Sequence, residues 1–249
     1  MKTSIKFLAF FIAVALVTNG CGLLKSAGVQ LITPSNVIIT ETREVSGFTS
    51  IDMSTMGKVL INQGQSESLN ISGSDNLVPL IKTTVSNGVL DISSDGSISV
   101  TSFNEKYLTF TIIVKDLSSL NISGLGDIQM GILNTPSLNI SMSGAGKVRL
   151  DQLLTDKLDV SLSGLGSVEI AGKATQATID ISGAGSVNAP DLQIQSANVT
   201  VPGLGSATLW VNDQLTGNIS GAGSVSYYGN PQTNTNTSGL GSFKPLGAK

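Results

Sequence analysis

The sequence predicts an all-β protein, a right-handed parallel β-helix (a β-solenoid) with coils of about 20 residues. The first observation is a Gly-x-Gly motif, preceded by Ser or Pro, that recurs seven times in the second half of the chain. The second is a period-two alternation of apolar and polar residues on both sides of each motif, which is typical of strands. The third is a composition with 28 glycines, 40% apolar and 4% aromatic residues, which suits stacked coils with small interior side chains.

The recurring glycines define the repeat. Their first members are 20, 20, 19, 20, 18 and 18 residues apart, which is the length of one coil. We expect each pair to form the corner between two strands, where the backbone bends sharply or takes a positive φ and a Cβ would collide with a neighbouring coil. The predicted corner glycines are Gly124, Gly126, Gly144, Gly146, Gly164, Gly166, Gly183, Gly185, Gly203, Gly205, Gly221, Gly223, Gly239 and Gly241.

The residue between the two glycines alternates strictly between leucine and alanine. Stacked leucines would crowd a tight corner, so we expect the alternation to fill the corner as a large and small stack. This interpretation makes the true repeat a pair of coils. The alternating residues are Leu125, Ala145, Leu165, Ala184, Leu204, Ala222 and Leu240.

The direction of the strands and the end of the repeat follow from the same pattern. Coils of this kind pair their strands in parallel, and parallel crossovers are overwhelmingly right-handed. The last copy, NPQTNTNTSGLGSF, replaces its apolar columns with Thr and Asn, as expected of a terminal coil with a solvated face.

The first residues predict export. Lys2 and Lys6 precede an apolar run of 11 residues, which suits a secretory signal better than a membrane span. We assign residues 1–20 to the signal peptide. Cys21, the only cysteine, directly follows it in a context that resembles the lipobox of bacterial lipoproteins, so it is the expected lipidation site. The alternative is a plain secretory cleavage near Gly20 that leaves a free thiol.

The remaining chain divides into three parts. Residues 21–35 have no clear period and are expected to form a lipid-anchored tether. Residues 36–120 show strand-like blocks, with Asn87-Gly88 as a two-residue turn signal, and form the N-terminal β part of the head domain. Residues 121–246 form the β-helix built from the repeated motif.

The residue types exclude several functions. There is no histidine, so a Ser-His-Asp triad, histidine acid/base catalysis and histidine metal ligation are absent. A net charge of −3 with 12% charged residues offers no basic face for nucleic acid. We expect no catalytic residues, no metal and no cofactor. The densest charged patch, formed by Lys147, Arg149, Asp151 and Glu169, is interpreted as exposed ion pairs rather than a polar binding site.

Three aromatic residues near the C-terminus leave two alternatives open. Trp210, Tyr227 and Tyr228 either cover the end of the solenoid core or form a platform on which sugar rings stack.

Several blocks together resemble the family of auto-transporter adhesin, head GIN domain proteins of bacterial envelopes. They are TREVSGFTSIDMSTMGKVLINQG, SLNISGSDNLVPLIKTTVSNGVLDIS and the serial SGxG repeats after LSSLNISGLGDI. The resemblance covers most of the chain beyond the signal. It implies a β-helical fold and export to the cell envelope, often as a lipoprotein. An adhesive or scaffolding role is expected from the flat Ser, Thr and Asn ladders of the β-helix, which suit many weak contacts with a polysaccharide or a protein surface.

The leading functional prediction is therefore a non-enzymatic cell-envelope lipoprotein with a β-helical head and an adhesive or scaffolding role. Its partners would be a membrane, through the lipid on Cys21, and a polysaccharide or an envelope protein. The outer membrane is the expected location, with the periplasmic and surface faces both open. The alternatives are a periplasmic structural protein that self-assembles and, less favoured, a polysaccharide-active enzyme.

Overall fold

The computed structural model describes residues 29–95, 97–100 and 104–249. Within these residues the only helices are two single 3₁₀ turns, Val78–Leu80 and Glu105–Tyr107, and all other regular structure is β-strand. The first turn lies in the NLVPLIKTTVSN segment. The predicted all-β class is confirmed.

Nineteen strands are present in the part of the chain described. The first nine are β1 (Val29–Ile32), β2 (Ile38–Arg43), β3 (Ser50–Met53), β4 (Met56–Gln63), β5 (Ser68–Ser74), β6 (Ile81–Ser86), β7 (Val89–Ser94), β8 (Ser97–Val100) and β9 (Leu108–Val114). The other ten are β10 (Ser119–Ile122), β11 (Leu125–Asn134), β12 (Ser137–Met142), β13 (Ala145–Leu162), β14 (Ser167–Ile181), β15 (Ser186–Val201), β16 (Ser206–Ile219), β17 (Ser224–Tyr228), β18 (Gln232–Thr237) and β19 (Ser242–Gly247).

The strands from β10 onward stack in parallel as a solenoid. Each coil contributes a strand before its glycine corner, a strand after it, and a short segment that closes the coil. We call the surface formed by the strands before the corner face A, the surface formed by the strands after the corner face B, and the surface formed by the closing segments face C. On face A, for example, Leu120 pairs in register with Ile140 and Ile140 with Val160. The parallel β-solenoid predicted from the repeat is confirmed.

The apolar columns seen in the sequence form one continuous core. Because side chains alternate sides along a strand, every second residue points inward. On face B the inward column is fully buried and continues from coil to coil at the spacing of parallel strands. Its members are Ile128, Val148, Val168, Val187, Ala207 and Val225.

The solenoid begins before the repeat. Strand β3 pairs in parallel with β10, and β4 pairs with β11, so the segment from β3 to β4 forms the coil below the first repeat. Strands β7 and β9 form the next layer below. The antiparallel strands β2, β5 and β6 complete this end. The predicted division between residues 120 and 121 lies within β10.

Two local features of this end bear on the sequence interpretation. Asn87 and Gly88 form the turn between the antiparallel strands β6 and β7, with φ of 51° and 77°. The described end of the predicted tether is attached to the domain, since β1 pairs with β8 and the hydroxyl of Ser74 donates to the carbonyl of Ser35. The backbone hydrogen bonds between β1 and β8 explain why a strand forms here, although the sequence of this segment has no period.

The first glycine of each motif lies where two coils approach most closely. In each coil the amide of the residue after this glycine donates to the carbonyl of the first glycine in the preceding coil; the Leu165 amide, for example, is 3.3 Å from the Gly144 oxygen. A Cβ on Gly164 would lie 2.0 Å from that same oxygen. Among the fourteen motif glycines only Gly146 has a positive φ, of 139°. Close backbone approach, rather than a left-handed conformation, is therefore the general requirement.

The second glycine of the motif points toward the core. A Cβ on Gly166 would overlap the sulfur of Met142, and one on Gly205 would lie 2.2 Å from a methyl group of Ile181. The first glycines thus leave room for backbone, and most second glycines leave room for core side chains as well as backbone. Gly146 is the exception, because it is exposed and its Cβ would lie 2.0 Å from the carbonyl oxygen of Gly126.

The expectation that leucine and alanine fill the corner is wrong. The residue between the two glycines follows an outward serine or proline by two positions and points away from the core, so the four leucines are exposed. The inner side of the corner is occupied by the second glycine and by core side chains instead. The alternation is therefore a property of the outer surface.

The terminal coil leaves the core open on its far side. Strand β18 carries Thr and Asn in both orientations and is exposed throughout. The ring of Phe243 partly fills the space, since a Cβ on Gly217 would lie 2.4 Å from it.

Candidate functional site

Face C carries a groove of about 540 Å³ that crosses five successive coils. Residues of one column follow one another in register, from Asn134 to Leu154, Lys173, Gln193 and then Trp210. The lining residues are Asn134, Thr135, Pro136, Leu154, Thr155, Asp156, Lys173, Ala174, Thr175, Gln193, Gln195 and Asn212. Amides, hydroxyls and one charge of each sign therefore face a single elongated depression.

The floor of the groove is set by two threonines in equivalent positions. Thr135 and Thr155 are buried, and each hydroxyl donates to the carbonyl two residues later, at 3.2 Å to Ser137 and 3.1 Å to Lys157. A buried hydroxyl needs such a partner, so the same turn is repeated in consecutive coils. The groove consequently has a regular and fixed floor at this end.

Gln63 joins the first coil of the groove to the N-terminal half. Its amide nitrogen donates to the carbonyls of Asn134 and Lys115, each at 3.0 Å. Its amide oxygen accepts from the backbone amide of Asn134 at 2.9 Å. The backbone at the start of the groove is thus held by a side chain 71 positions earlier.

The groove column ends at an aromatic pair. Trp210 pairs in register with Tyr228, and both side chains are half-buried. The ammonium group of Lys249 lies 5.2 Å from the Trp210 ring centre and also contacts the carbonyl of Pro190 and the carboxylate of Asp191. Tyr227, by contrast, packs against the core. Of the two alternatives for the aromatic residues, Tyr227 fits core covering, while Trp210 and Tyr228 lie on the surface.

The predicted charged patch consists of exposed ion pairs on face B. Lys147 contacts Glu169 at 2.7 Å, across neighbouring coils, and Arg149 contacts Asp151 at 2.7 Å. The hydrogen bond to Asp151, followed by its charge, raises the pKa of Arg149 above the usual arginine value. Arg149 therefore stays positively charged and paired with Asp151.

Face A presents flat ladders of Ser, Thr, Asn and Asp. Neighbouring coils are linked there by side-chain hydrogen bonds, such as Asn121 to Asp52 at 2.5 Å and Asn236 to Asn218 at 3.1 Å. This face offers many polar groups to solvent.

Two features of the described residues bear on other functions. Within residues 29–95, 97–100 and 104–249 no group of three or more His, Cys, Asp or Glu side chains could hold a metal ion. In the same ranges, no helix has the length and apolar character needed to cross a membrane. Cys21 and the predicted signal peptide lie outside the described residues.

The groove was missed by the sequence interpretation. Its residues lie in the least regular part of each coil, where the repeat shortens from 20 to 18 residues and the register shifts, for instance between Ala189 and Gln193. A signal was available in the uncharged amides of Gln193 and Asn212, which lie about one coil apart, and of Asn134, three coils before Gln193.

Comparison with known proteins identifies relatives. A family model described as "Putative auto-transporter adhesin, head GIN domain" matches residues 47–231. No curated protein matches the chain. The crystal structure of a putative adhesin from Bacteroides fragilis is similar, with a TM-score of 0.81 and 31% identity, covering 86% of this chain and 100% of that one.

Two further crystal structures share the fold at lower identity. A putative lipid binding protein from Parabacteroides distasonis has a TM-score of 0.69 and 21% identity, covering 87% of this chain and 100% of that one. A putative adhesin from Parabacteroides merdae has a TM-score of 0.64 and 18% identity, covering 87% of this chain and 99% of that one.

Proposed function

Because this chain belongs to the auto-transporter adhesin, head GIN domain family, we propose that it is an exported, non-enzymatic adhesive protein of the bacterial cell envelope that binds polysaccharide in the groove of face C. The family supports an adhesive role in general terms. The ligand class, the lipid anchor on Cys21 and the outer-membrane location are parts of the proposal.

The observation that carries the polysaccharide assignment is a groove lined by amide and hydroxyl groups, whose register column continues beyond the groove to an aromatic pair. Sugars present hydroxyl groups that both donate and accept hydrogen bonds, and the amides of Asn134, Gln193 and Asn212 do the same. Sugar rings also have apolar faces, which pack on flat aromatic rings such as Trp210 and Tyr228. The polar contacts would be made in the groove and the apolar contacts at the rings that follow Gln193 in register.

The shape of the groove favours a chain over a single sugar. From Asn134 to Trp210 there are four coil steps, or about 19 Å at the usual spacing of parallel strands. Each coil supplies one or two polar side chains at this regular interval. An extended polymer can contact all five coils at once, so that weak contacts add up to useful affinity.

A catalytic role has no support from the groove chemistry. Asp156 and Lys173 are the only charged residues that line it. The groove therefore presents one carboxylate, whereas a glycosidase needs two that face each other. We therefore propose binding without turnover.

The test is binding of the full chain carrying Cys21→Ser to a panel of bacterial and host polysaccharides. We expect binding to at least one uncharged or weakly acidic polymer, with the affinity lowered about tenfold by Trp210→Ala and by Gln193→Ala. Asn198→Ala, which removes an exposed amide from face A, is the matched control and should bind as the parent does. Absence of binding to the whole panel, or equal losses in all three variants, would overturn the proposal.

A further inference from the structure

Face A and face B meet at an exposed apolar ridge. The residue between the glycines of each motif points outward, and the four leucines among them are 58%, 75%, 70% and 92% exposed in chain order. Met56 precedes Leu125 in register in the coil below. We define the leucine ridge as Met56, Leu125, Ala145, Leu165, Ala184, Leu204, Ala222 and Leu240.

The solenoid itself does not require alanine in every second coil. Inside the same coils, large apolar side chains stack in every layer without alternation, as in the sequence Ile122, Met142, Leu162, Ile181 and Val201. Both columns have the same coil spacing, so crowding between layers does not explain the alanines. The ridge instead has one protruding leucine and one gap, at the alanine, in every two coils, so its pattern repeats about every 9.6 Å. Such a ridge fits a surface that has the same period.

The sides of the ridge allow a close approach. At the five ridge positions from Leu165 to Leu240, the two residues on either side of the ridge residue are glycine, serine or proline, so none of them is charged. Small uncharged flanks let a second backbone come near without leaving a charge unpaired.

The C-terminal end of the ridge, at Leu240, is complementary in shape to its N-terminal end, at Met56. Leu240 is the most exposed leucine, and at the opposite end lies a mainly apolar hollow of about 450 Å³. The hollow is lined by Met56, Val100, Leu125, Gly126, Asp127, Ala145, Gly146 and Lys147. One molecule thus carries a protruding leucine at Leu240 and a recess for a leucine at Met56, seven coil steps apart.

We propose that the leucine ridge is the dimer interface for a second copy of this chain, packed antiparallel about a two-fold axis between Leu165 and Ala184. In this register Leu165 of one copy faces Ala184 of the other, Leu204 faces Ala145, and Leu240 enters the hollow at Met56. A two-fold axis repeats each contact, so a single pattern is complementary to itself. The proposal is independent of polysaccharide binding, because the groove lies on face C.

The size of the ridge predicts a modest affinity. Seven coil steps give a length of about 34 Å, and with a width of about 15 Å each copy would bury about 500 Å², at the low end for specific interfaces. We therefore expect dissociation in the micromolar range, and more complete pairing wherever both copies are held on one membrane.

The arrangement is tested by disulfide trapping. Cys21→Ser removes the only cysteine of the full chain, so that single cysteines can be introduced with Met56→Cys and Leu240→Cys. Under mild oxidation we expect a mixture of the two variants to form a cross-linked dimer and neither variant alone to do so. Cross-linking by Leu240→Cys alone would show a parallel arrangement, and no cross-link in the mixture would exclude the register; either result overturns the proposal.

Sedimentation equilibrium tests the energetics of the same interface. Leu165→Asp with Leu204→Asp should raise the dissociation constant at least about tenfold, whereas Ile132→Asp, at an exposed residue off the ridge, should leave it unchanged. A monomeric parent, or equal effects of the ridge and control changes, would overturn the proposal.

Ala184→Leu with Ala145→Leu separates a second copy from a lipid surface. These changes fill the gaps while making the ridge more apolar, and leucine is already accommodated at this position in neighbouring coils. Weaker dimerisation is expected from interlocking ridges. Stronger dimerisation, or a gain in binding to phosphatidylethanolamine and phosphatidylglycerol vesicles without any effect on dimerisation, would instead assign the ridge to unspecific apolar contact or to the membrane.

Discussion

The ammonium nitrogen of Lys249 lies 5.2 Å from the ring centre of Trp210 and 5.4 Å from that of Tyr228. A sugar that stacks on these rings from the same side has to displace this side chain. Since a partly exposed cation–π contact is worth about 0.5–1 kcal/mol, Lys249→Ala should raise polysaccharide affinity about two- to fivefold.

Isothermal titration of the parent and variant checks this change. Lys82→Ala removes the same charge from an exposed position on β6, in the N-terminal part of the domain, and should leave the affinity as it is. A loss of affinity in Lys249→Ala would show that the ammonium group binds the ligand rather than competing with it.

Replacing a corner glycine should be far more harmful than replacing a glycine with open space. A Cβ on Gly164 would lie 2.0 Å from the carbonyl oxygen of Gly144, so the two coils must separate. We expect Gly164→Ala to lower the free energy of unfolding by about 3 kcal/mol or more. Guanidinium unfolding followed by far-UV circular dichroism measures it.

The matched control is Gly131→Ala. The nearest atom to a Cβ there is the side-chain oxygen of Asn62 at 3.7 Å, an ordinary contact. This change should alter stability by less than about 1 kcal/mol, in either direction. Similar losses for both glycines would contradict the close approach seen at the corner.

The ion pairs of face B should contribute little to stability. Lys147 and Glu169 are 2.7 Å apart, but both side chains are more than a third exposed. Glu169→Gln should therefore change the free energy of unfolding by about 1 kcal/mol or less, and less still in high salt. Ile179→Ala, at a buried residue of the following coil, should cost about 2–5 kcal/mol. A comparable loss in Glu169→Gln would mean that the patch is structural.

The proposed anchor gives a prediction for whole cells. If Cys21 carries a lipid, Cys21→Ser should move the protein from the membrane fraction to the soluble fraction and abolish labelling by a radioactive fatty acid. An unchanged distribution would favour cleavage near Gly20 without lipidation.

Proteinase treatment of intact cells then locates the head. An adhesive protein of the cell surface should be digested without permeabilisation, and a periplasmic marker protein in the same cells should survive. Protection of the head until the cells are permeabilised would contradict a surface location and favour a scaffold within the envelope.

The solenoid could be predicted from the sequence, because the repeat has both the period of a strand and the period of a coil. The period-two alternation assigns each side chain to the core or to the surface, and the spacing of 18–20 residues sets the coil. The columns built on the glycines pair in the expected register from Leu120 to Ile219. Local rules suffice where each coil contacts only its neighbours.

Tertiary structure decided what lies at the corners and on face C. Whether the alternation continues through the Gly-x-Gly bend depends on the backbone path there, so the outward direction of Leu165 and the inward direction of Gly166 emerged only from the stacked coils. The groove likewise depends on where irregular segments of five coils come to lie side by side. The N-terminal coil is a third case, since β3 lies between β7 and β10, and this order follows from contacts distant in sequence rather than from any local pattern.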